Sequence, residues 1–149
     1  MRDALDHARI ASEIVELPGA ARTAKAAAEF LGCDVGQIAN SLVFRALATD
    51  RAVLVMSSGA RRVDVARLAA AMGEPIGKAD ADFVRARTGF AIGGVAPAGH
   101  TGELAKFVDR SLAAYPEVWA AGGHAHTVFR LTYPELVRLT GGVEAELAE

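Results

Sequence analysis

Apolar residues recur at helical spacing in several stretches of the chain, and these stretches carry helix end signals. Thr132 and Glu135 form a capping box with Pro134 in the first turn, which predicts a helix through residue 139. Thr23 and Asp80 are typical N-cap residues. The predicted helices are residues 3–12, 24–31 ending at Gly32, 65–72 ending at Gly73, 81–88 and 132–139.

Alternating and short apolar runs predict strands between these helices. The strands are residues 13–17, 42–47, 52–56, 75–78, 105–109, 118–121 and 127–131, and residues 49–51 make the second and third a hairpin. Strands and helices do not alternate regularly, which argues against a doubly wound parallel sheet. We therefore predict an α/β protein of the α+β type: a single domain over residues 1–149, with a mixed, curved β-sheet and helices packed against it.

The segment Gly89–His100, GFAIGGVAPAGH, interrupts this pattern. It contains four of the 15 glycines and no Asp, Glu, Lys or Arg, but it keeps the apolar residues Phe90, Ile92 and Val95. Glycine lets a ligand approach the main chain closely, and Pro97 restricts the backbone. The composition favours an ordered loop that lines a pocket and exposes main-chain amides. The alternative is a tight turn between two strands.

The composition and the net charge limit the classes of partner that the protein is expected to bind. The 149 residues are 52% hydrophobic and 23% charged, with a net charge of −2, which is typical of a globular protein and unlike one that grips a long DNA duplex. Contact with the end of a nucleic acid through a local patch stays open. No apolar run is long enough to span a membrane, the acidic N-terminus does not resemble a signal peptide, and Cys33 is the single cysteine, so we expect a cytoplasmic protein.

Several residues are candidates for catalysis or ligand binding when only their neighbours in the sequence are considered. His124 and His126 lie two residues apart, so zinc binding with His100 as a third ligand is conceivable, although the motif is weak. Ser57 and Ser58 lack the elbow motif of serine hydrolases. Asp109 is placed either to act in catalysis or to cap the turn that follows it. Cys33 is either a nucleophile or a small packed side chain. Arg61 and Arg62 either bind a phosphate or are exposed to solvent just before a helix begins.

An ordered set of segments carries a family resemblance. The chain resembles the YbaK-like proteins, aminoacyl-tRNA deacylases related to the editing domain inserted in bacterial prolyl-tRNA synthetase. The resemblance covers about residues 14–140 and rests on Thr23 with Ala27 and Ala28, and on residues 38–44 (IANSLVF), 89–97 (GFAIGGVAP), 108–112 (VDRSL), 118–123 (VWAAGG) and 132–136 (TYPEL).

The resemblance implies a free-standing hydrolase that needs no metal or cofactor. Its partner would be the acceptor end of an aminoacyl-tRNA, commonly the tRNA for proline, from which it removes a small non-cognate amino acid. Main-chain groups, a bound water and a ribose hydroxyl of the tRNA would share the chemistry. A homodimer is left open.

Site residues follow from the same resemblance. Gly93 and Pro97 match the loop that holds the scissile carbonyl, and Gly94 and Val95 would line this loop. The remaining implied residues are Ala96 as an apolar wall, Asp109 as the acidic position and Gly122 as the glycine that keeps the pocket open. Apart from the resemblance, His100 is a candidate for an extra polar contact of the loop.

Asn40 departs from the family pattern. Editing members usually have a lysine there, associated with the terminal phosphate of the tRNA, and asparagine brings no charge. Arg45 or Arg62 could take over the phosphate contact. The alternative function is a binding module of the same fold, in which Asn40 has ended catalysis and aminoacyl ends or small ligands are only captured.

Overall fold

The helices begin and end at the residues that the sequence marks. The computed structural model describes residues 12, 14–17, 23–92, 94–123 and 127–149. Each helix begins after a side chain that accepts a main-chain N–H and ends at a glycine in the left-handed region, with φ between 65° and 81°. The described helices are α1 (Ala24–Leu31), α2 (Val65–Met72), α3 (Ala81–Thr88) and α4 (Tyr133–Thr140).

The described strands form two sheets. They are β1 (Ile14–Glu16), β2 (Ala39–Ala46), β3 (Ala52–Ser58), β4 (Ile76–Lys78), β5 (Ala105–Asp109), β6 (Val118–Ala121), β7 (Thr127–Leu131) and β8 (Val143–Ala145). One sheet has the order β1-β7-β6 and is antiparallel. The other has the order β4-β2-β3-β5-β8, with antiparallel pairs on one side of β3 and parallel pairs on the other. The predicted α+β class with mixed strand pairing is confirmed.

β3 is the centre of the larger sheet, and all seven of its residues are buried. Leu54 and Met56 on one face pack into a cluster with Phe129 and Leu136, whereas Val53 and Val55 on the other face pack with Leu68 of α2 and residues near the C-terminus. Because both faces are covered, β3 reads as an almost continuous apolar run.

The two sheets approach each other beside β2. A single parallel bridge joins Ile38, just before β2, to Trp119 of β6. β4 pairs only with Phe44, Arg45 and Ala46 at the far end of β2. The part of β2 between these two contacts has no neighbouring strand on that side among the described residues, and this gap positions the candidate site.

Several elements differ from the predictions, most of them by one residue at an end. β2 begins at Ala39 rather than residue 42, and β3 runs to Ser58 rather than residue 56, because the two strands pair as far as Ala39 and Ser58. β8 was not predicted. The predicted helix 3–12 falls on residues outside the described part of the chain except Ser12, which is not helical.

No helix in the described ranges is both long and apolar enough to cross a membrane.

Candidate active site

A cavity of about 780 Å³ opens at the gap beside β2. Its walls come from residues 38–44, residues 119–121 of β6, the start of α1 with Thr23, and Ala91, Ile92, Gly94 and Val95 of the glycine-rich segment. The described lining is mainly apolar, and none of its residues is charged. The cavity therefore offers main-chain dipoles, hydroxyls and one amide side chain to a ligand.

The glycine-rich segment is an ordered loop that contributes to this wall. Gly89 ends α3 with φ of 81°, the Thr88 hydroxyl accepts the N–H of Phe90 at 3.1 Å, and Gly94 N–H donates to the Ala91 carbonyl at 2.9 Å. Val95 is buried in the main core cluster. These contacts fix both ends of the stretch that borders the cavity, as an ordered pocket-lining loop requires. Gly93 lies outside the described residues.

Ala96 and Pro97 lie behind this wall and are both buried. Neither is among the described residues that line the cavity, whereas Gly94 and Val95 are. The roles predicted for Gly93, Ala96 and Pro97 stay predictions.

His100 supports the loop from behind. Its Nε2 lies 2.7 Å from the Ala96 carbonyl, which can only accept, so Nε2 carries the proton. The ring packs edge-on against Phe90 with 5.9 Å between ring centroids, and Nδ1 is buried without a hydrogen-bond partner among the described residues. Burial lowers the pKa of His100 below its ordinary value, outweighing the Ala96 hydrogen bond. His100 does not line the described cavity, so its predicted substrate contact stays a prediction.

Asn40 lies on the cavity wall near the start of β2, half-buried. It pairs in register with Ser57 of β3, whose buried hydroxyl has no partner among the described residues. No described group forms a side-chain hydrogen bond with Asn40, so its amide is available to a ligand. Asn40 was predicted from the sequence as a substrate-binding residue, and it lies on the wall of the described cavity. Its role in binding stays a prediction.

Asp109 has a structural role that needs no substrate. Its carboxylate accepts the N–H groups of Ser111 at 3.2 Å, Leu147 at 2.8 Å and Ala148 at 3.1 Å, together with the Ser111 hydroxyl. Asp109 is buried, caps the 3-10 turn Arg110–Ala114 and ties down the C-terminal residues. It is not among the described cavity-lining residues, so the capping role is the one these contacts support. Its catalytic role stays a prediction.

Gly122 is required by the packing of β6 and β7. A Cβ added there would lie 2.8 Å from Thr127 Oγ1 and 2.9 Å from Ile14 Cγ2, closer than real contacts allow. Its N–H donates to the Thr127 carbonyl at 2.8 Å. Ala121 and Gly123 on either side of it line the cavity. The glycine thus keeps β1, β6 and β7 together at the edge of the site.

The two arginines considered as replacements for the family lysine lie away from the described cavity wall. Arg62 is exposed in the loop after β3, where its carbonyl accepts the N–H of Glu149. The Arg45 guanidinium forms an ion pair with Asp50 and lies 5.3 Å from the Phe83 ring centroid. Neither is among the residues of the described lining.

The remaining alternatives from the sequence find no support in the described residues. Ser58 donates its hydroxyl to the Gly36 carbonyl at 2.8 Å inside the protein. Cys33 packs against an apolar cluster, and burial raises the pKa of its thiol. His124 and His126 lie outside the described residues. Within the described ranges no three His, Cys, Asp or Glu side chains form a cluster that could hold a metal ion.

Sequence reasoning missed part of the wall. The cavity is also lined by Trp119, Thr23 and Ala24. They were not predicted as site residues because they lie far from the glycine-rich loop in the sequence. Ser41, which follows Asn40 in β2, also lines the cavity. The signal that was available is the polar pair Asn40-Ser41 before an apolar run, because a buried strand seldom begins with two polar residues unless they face a ligand or solvent.

Comparisons with known proteins agree with the fold. Residues 19–139 match the aminoacyl-tRNA editing domain family. The uncharacterized protein YwhH of Bacillus subtilis (strain 168) is 29% identical over 125 residues, which are 84% of this chain and 79% of that protein.

Two solved structures are similar throughout. One belongs to a protein provisionally assigned as a trans-editing enzyme for prolyl tRNA synthetase, with 44% identity, a TM-score of 0.92, and coverage of 99% of this chain and 94% of that one. The other is the hypothetical protein APE2540, with 26% identity, a TM-score of 0.91, and coverage of 99% and 98%. The chain therefore belongs to the aminoacyl-tRNA editing domain family.

Proposed function

We propose that this protein is a cytoplasmic trans-editing deacylase. It hydrolyses the ester between the 3′ end of a tRNA and a wrongly attached amino acid, with the tRNA for proline carrying a small residue such as alanine as its substrate. The observation that carries the proposal is the cavity beside β2, bordered by the ordered glycine-rich loop in a chain of the editing family.

The size and character of the cavity suit the end of a charged tRNA. A volume of about 780 Å³ is in the range of small-molecule sites and is large enough for an aminoacyl group with its terminal adenosine. The apolar walls can cover the base and a small side chain. The net charge of −2 favours contact with the tRNA end over contact with a long duplex.

Because the described lining contains no charged residue, we give most of the chemistry in this proposal to main-chain groups and to the substrate. A water attacks the ester carbonyl, and main-chain N–H groups at the wall stabilise the oxyanion that forms, each contributing about 3–4 kcal/mol. The tetrahedral intermediate then releases the ribose oxygen, which takes up the proton lost by the water. The neighbouring ribose hydroxyl is placed to relay that proton. The products are the free amino acid and an uncharged tRNA.

Selectivity comes from the walls near the scissile carbonyl. Val43, Val95 and Ala120 line the cavity with short apolar side chains. An apolar pocket discriminates a missing or added methylene by only about 10- to 200-fold, so a synthetase that errs with small amino acids gains from a second, hydrolytic site.

The proposal is tested with tRNA for proline charged separately with alanine, serine, cysteine and proline. We expect release of the small non-cognate residues well above the rate in buffer, and little release of proline. Equal rates for every ester would contradict selective editing. No release from any ester by the folded protein would overturn the deacylase proposal.

The second candidate is a binding module, and the neutral Asn40 on the cavity wall favours it. Such a protein would bind a non-hydrolysable aminoacyl-adenosine analogue but leave the matching ester intact. Calorimetric binding of the analogue, followed by an assay of the ester under the same conditions, separates the two functions.

A further inference from the structure

Where β2 borders the cavity, its outer side has no paired strand among the described residues. Gly59 N–H donates to the Ile38 carbonyl, and Ala46 N–H donates to the Arg51 carbonyl, so these two residues of the chain face β3. In an antiparallel pair the main-chain groups of successive residues point to alternate sides. Even-numbered residues from 38 to 46 therefore direct their N–H and C=O groups to β3, and odd-numbered residues direct theirs to the opposite side.

Ser41 is the odd-numbered residue at the centre of the gap. β4 pairs with β2 only from Phe44 onward, and the bridge to Trp119 is made at Ile38. No described strand is paired with this side of β2 at Ser41. Ser41 is half-buried and lines the cavity, and its side-chain hydroxyl is turned to Met56 Sδ at 3.4 Å. One donor and one acceptor of the main chain thus point into the cavity.

This pair of groups is complementary to one amino-acid unit. In a hydrogen-bonded antiparallel pair, two opposite residues exchange both bonds: each donates its N–H to the carbonyl of the other. An aminoacyl ester offers the same two groups, an α-ammonium donor and a carbonyl acceptor. The same complementarity lets extended peptides add to exposed sheet edges.

We propose that the Ser41 main chain binds the aminoacyl part of the substrate as a one-residue extension of the sheet. The Ser41 carbonyl accepts from the α-ammonium group, and the Ser41 N–H donates to the ester carbonyl oxygen. This inference rests on the proposed function, since it takes an aminoacyl ester as the ligand. It assigns recognition of the amino-acid backbone to β2 and leaves choice of the side chain to the apolar walls.

Hydrogen exchange of single amides tests the assignment directly. The probe is an alanyl-adenosine analogue in which an amide replaces the ester, added to the ¹⁵N-labelled unaltered protein. We expect exchange of the Ser41 N–H to slow at least about tenfold at saturation, as for a newly formed hydrogen bond. The N–H of Leu42, which faces β3, should be protected equally with and without the analogue. Bound analogue with unchanged Ser41 exchange overturns the inference, and failure to bind overturns it as well.

Substitutions provide a second measurement. Ser41→Pro removes the N–H at a strand edge, where proline is tolerated. Its kcat/KM for alanyl-adenosine ester should fall at least about tenfold, as when an oxyanion donor is lost. Lys78→Pro is the matched control, because Lys78 lies on an edge of the same sheet with its N–H directed away from β2. Its kcat/KM should stay within about twofold of the unaltered protein.

The outcomes separate this inference from the proposed function. If the unaltered protein hydrolyses the ester and Ser41→Pro does so equally well, the inference is wrong and the deacylase proposal stands. If the unaltered protein hydrolyses no ester, the deacylase proposal is wrong. In that case, or if Ser41→Pro does not fold, the exchange of the Ser41 amide with bound analogue decides the inference on its own.

Discussion

Asn40 is the residue at which this chain departs most clearly from the family that it resembles. It lies on the cavity wall and has no described side-chain hydrogen bond, so replacing its side chain breaks no such bond. Its amide can contact a substrate, but it cannot neutralise a phosphate.

Asn40→Lys is predicted to increase hydrolysis of a mischarged tRNA. A charge-assisted hydrogen bond to the terminal phosphate contributes about 1.5–3 kcal/mol, or about ten- to a hundredfold in kcat/KM. A short ester without the phosphate should gain little. Asn40→Met, which has a long side chain and no charge, is the control. Equal gains from lysine and methionine, or no gain for the tRNA, would show that the phosphate is bound elsewhere or not at all.

Asp109→Asn is predicted to lower stability rather than catalysis. The carboxylate accepts three main-chain N–H groups and a hydroxyl, and hydrogen bonds to a charged acceptor contribute about 1.5–3 kcal/mol. We expect the free energy of unfolding, measured with urea, to fall by about this amount. Where the variant is still folded, kcat should match that of the unaltered protein. A large loss of kcat without loss of stability would instead establish Asp109 as catalytic.

The burial of His100 predicts that the folded protein becomes less stable in mild acid. Burial lowers the pKa of His100 in the folded state, so the unfolded chain binds a proton more readily. The contribution of His100 to the free energy of unfolding is fully present above about pH 6.5, the pKa of histidine in the unfolded chain. It is lost as the pH falls toward the lower pKa that His100 has in the folded protein. Thermal melts of the unaltered protein and of His100→Gln between pH 7.5 and about pH 5 isolate the effect, since the other titrating groups are common to both. If the Tm values of the two proteins change with pH in parallel, His100 does not cause the loss of stability.

At the scale of elements, the ends of helices were the most predictable features. Thr23, Asp80 and Thr132 cap helices as expected, because capping depends on residues within one turn of each other. β8 could not be found in the same way. It has three residues and an exposed Val143, and it exists because it pairs in parallel with β5. That pairing is set by tertiary structure and leaves little trace in the local pattern.

Two glycines at the site should respond differently to the same substitution. Gly122→Ala places a methyl group 2.8 Å from Thr127 Oγ1 and should destabilise the protein by about 1–3 kcal/mol through overpacking. Among the described residues, the added methyl group of Gly94→Ala meets only the Ala91 carbonyl at 3.6 Å, an ordinary contact, so stability should be retained. Denaturation curves of both variants test this. A more stable Gly122→Ala, or a Gly94→Ala destabilised as strongly as Gly122→Ala, would contradict the described packing.

For the whole molecule, sequence reasoning reached the fold class and only part of the site. Asn40, Gly94 and Val95 were predicted and line the same cavity, because they lie in segments that carry the family resemblance. The division of the strands into two sheets was not predicted, nor was the gap beside β2. Both depend on where β4 and β6 stop pairing, which residues distant in sequence decide. A single domain over residues 1–149 stays a prediction.

Hydrolysis of a mischarged tRNA in this cavity can be measured as single-turnover release of alanine from alanyl-tRNA for proline. The unaltered protein is compared with Ala121→Phe, which fills the cavity from β6, and with Ala86→Phe on the exposed face of α3. We predict rapid release by the unaltered protein and by Ala86→Phe, and release at least about a hundredfold slower by a folded Ala121→Phe, as expected when the reacting groups are displaced. Release by the unaltered protein at the buffer rate would show that the protein is not a deacylase, and equal release by Ala121→Phe would show that hydrolysis does not take place in this cavity.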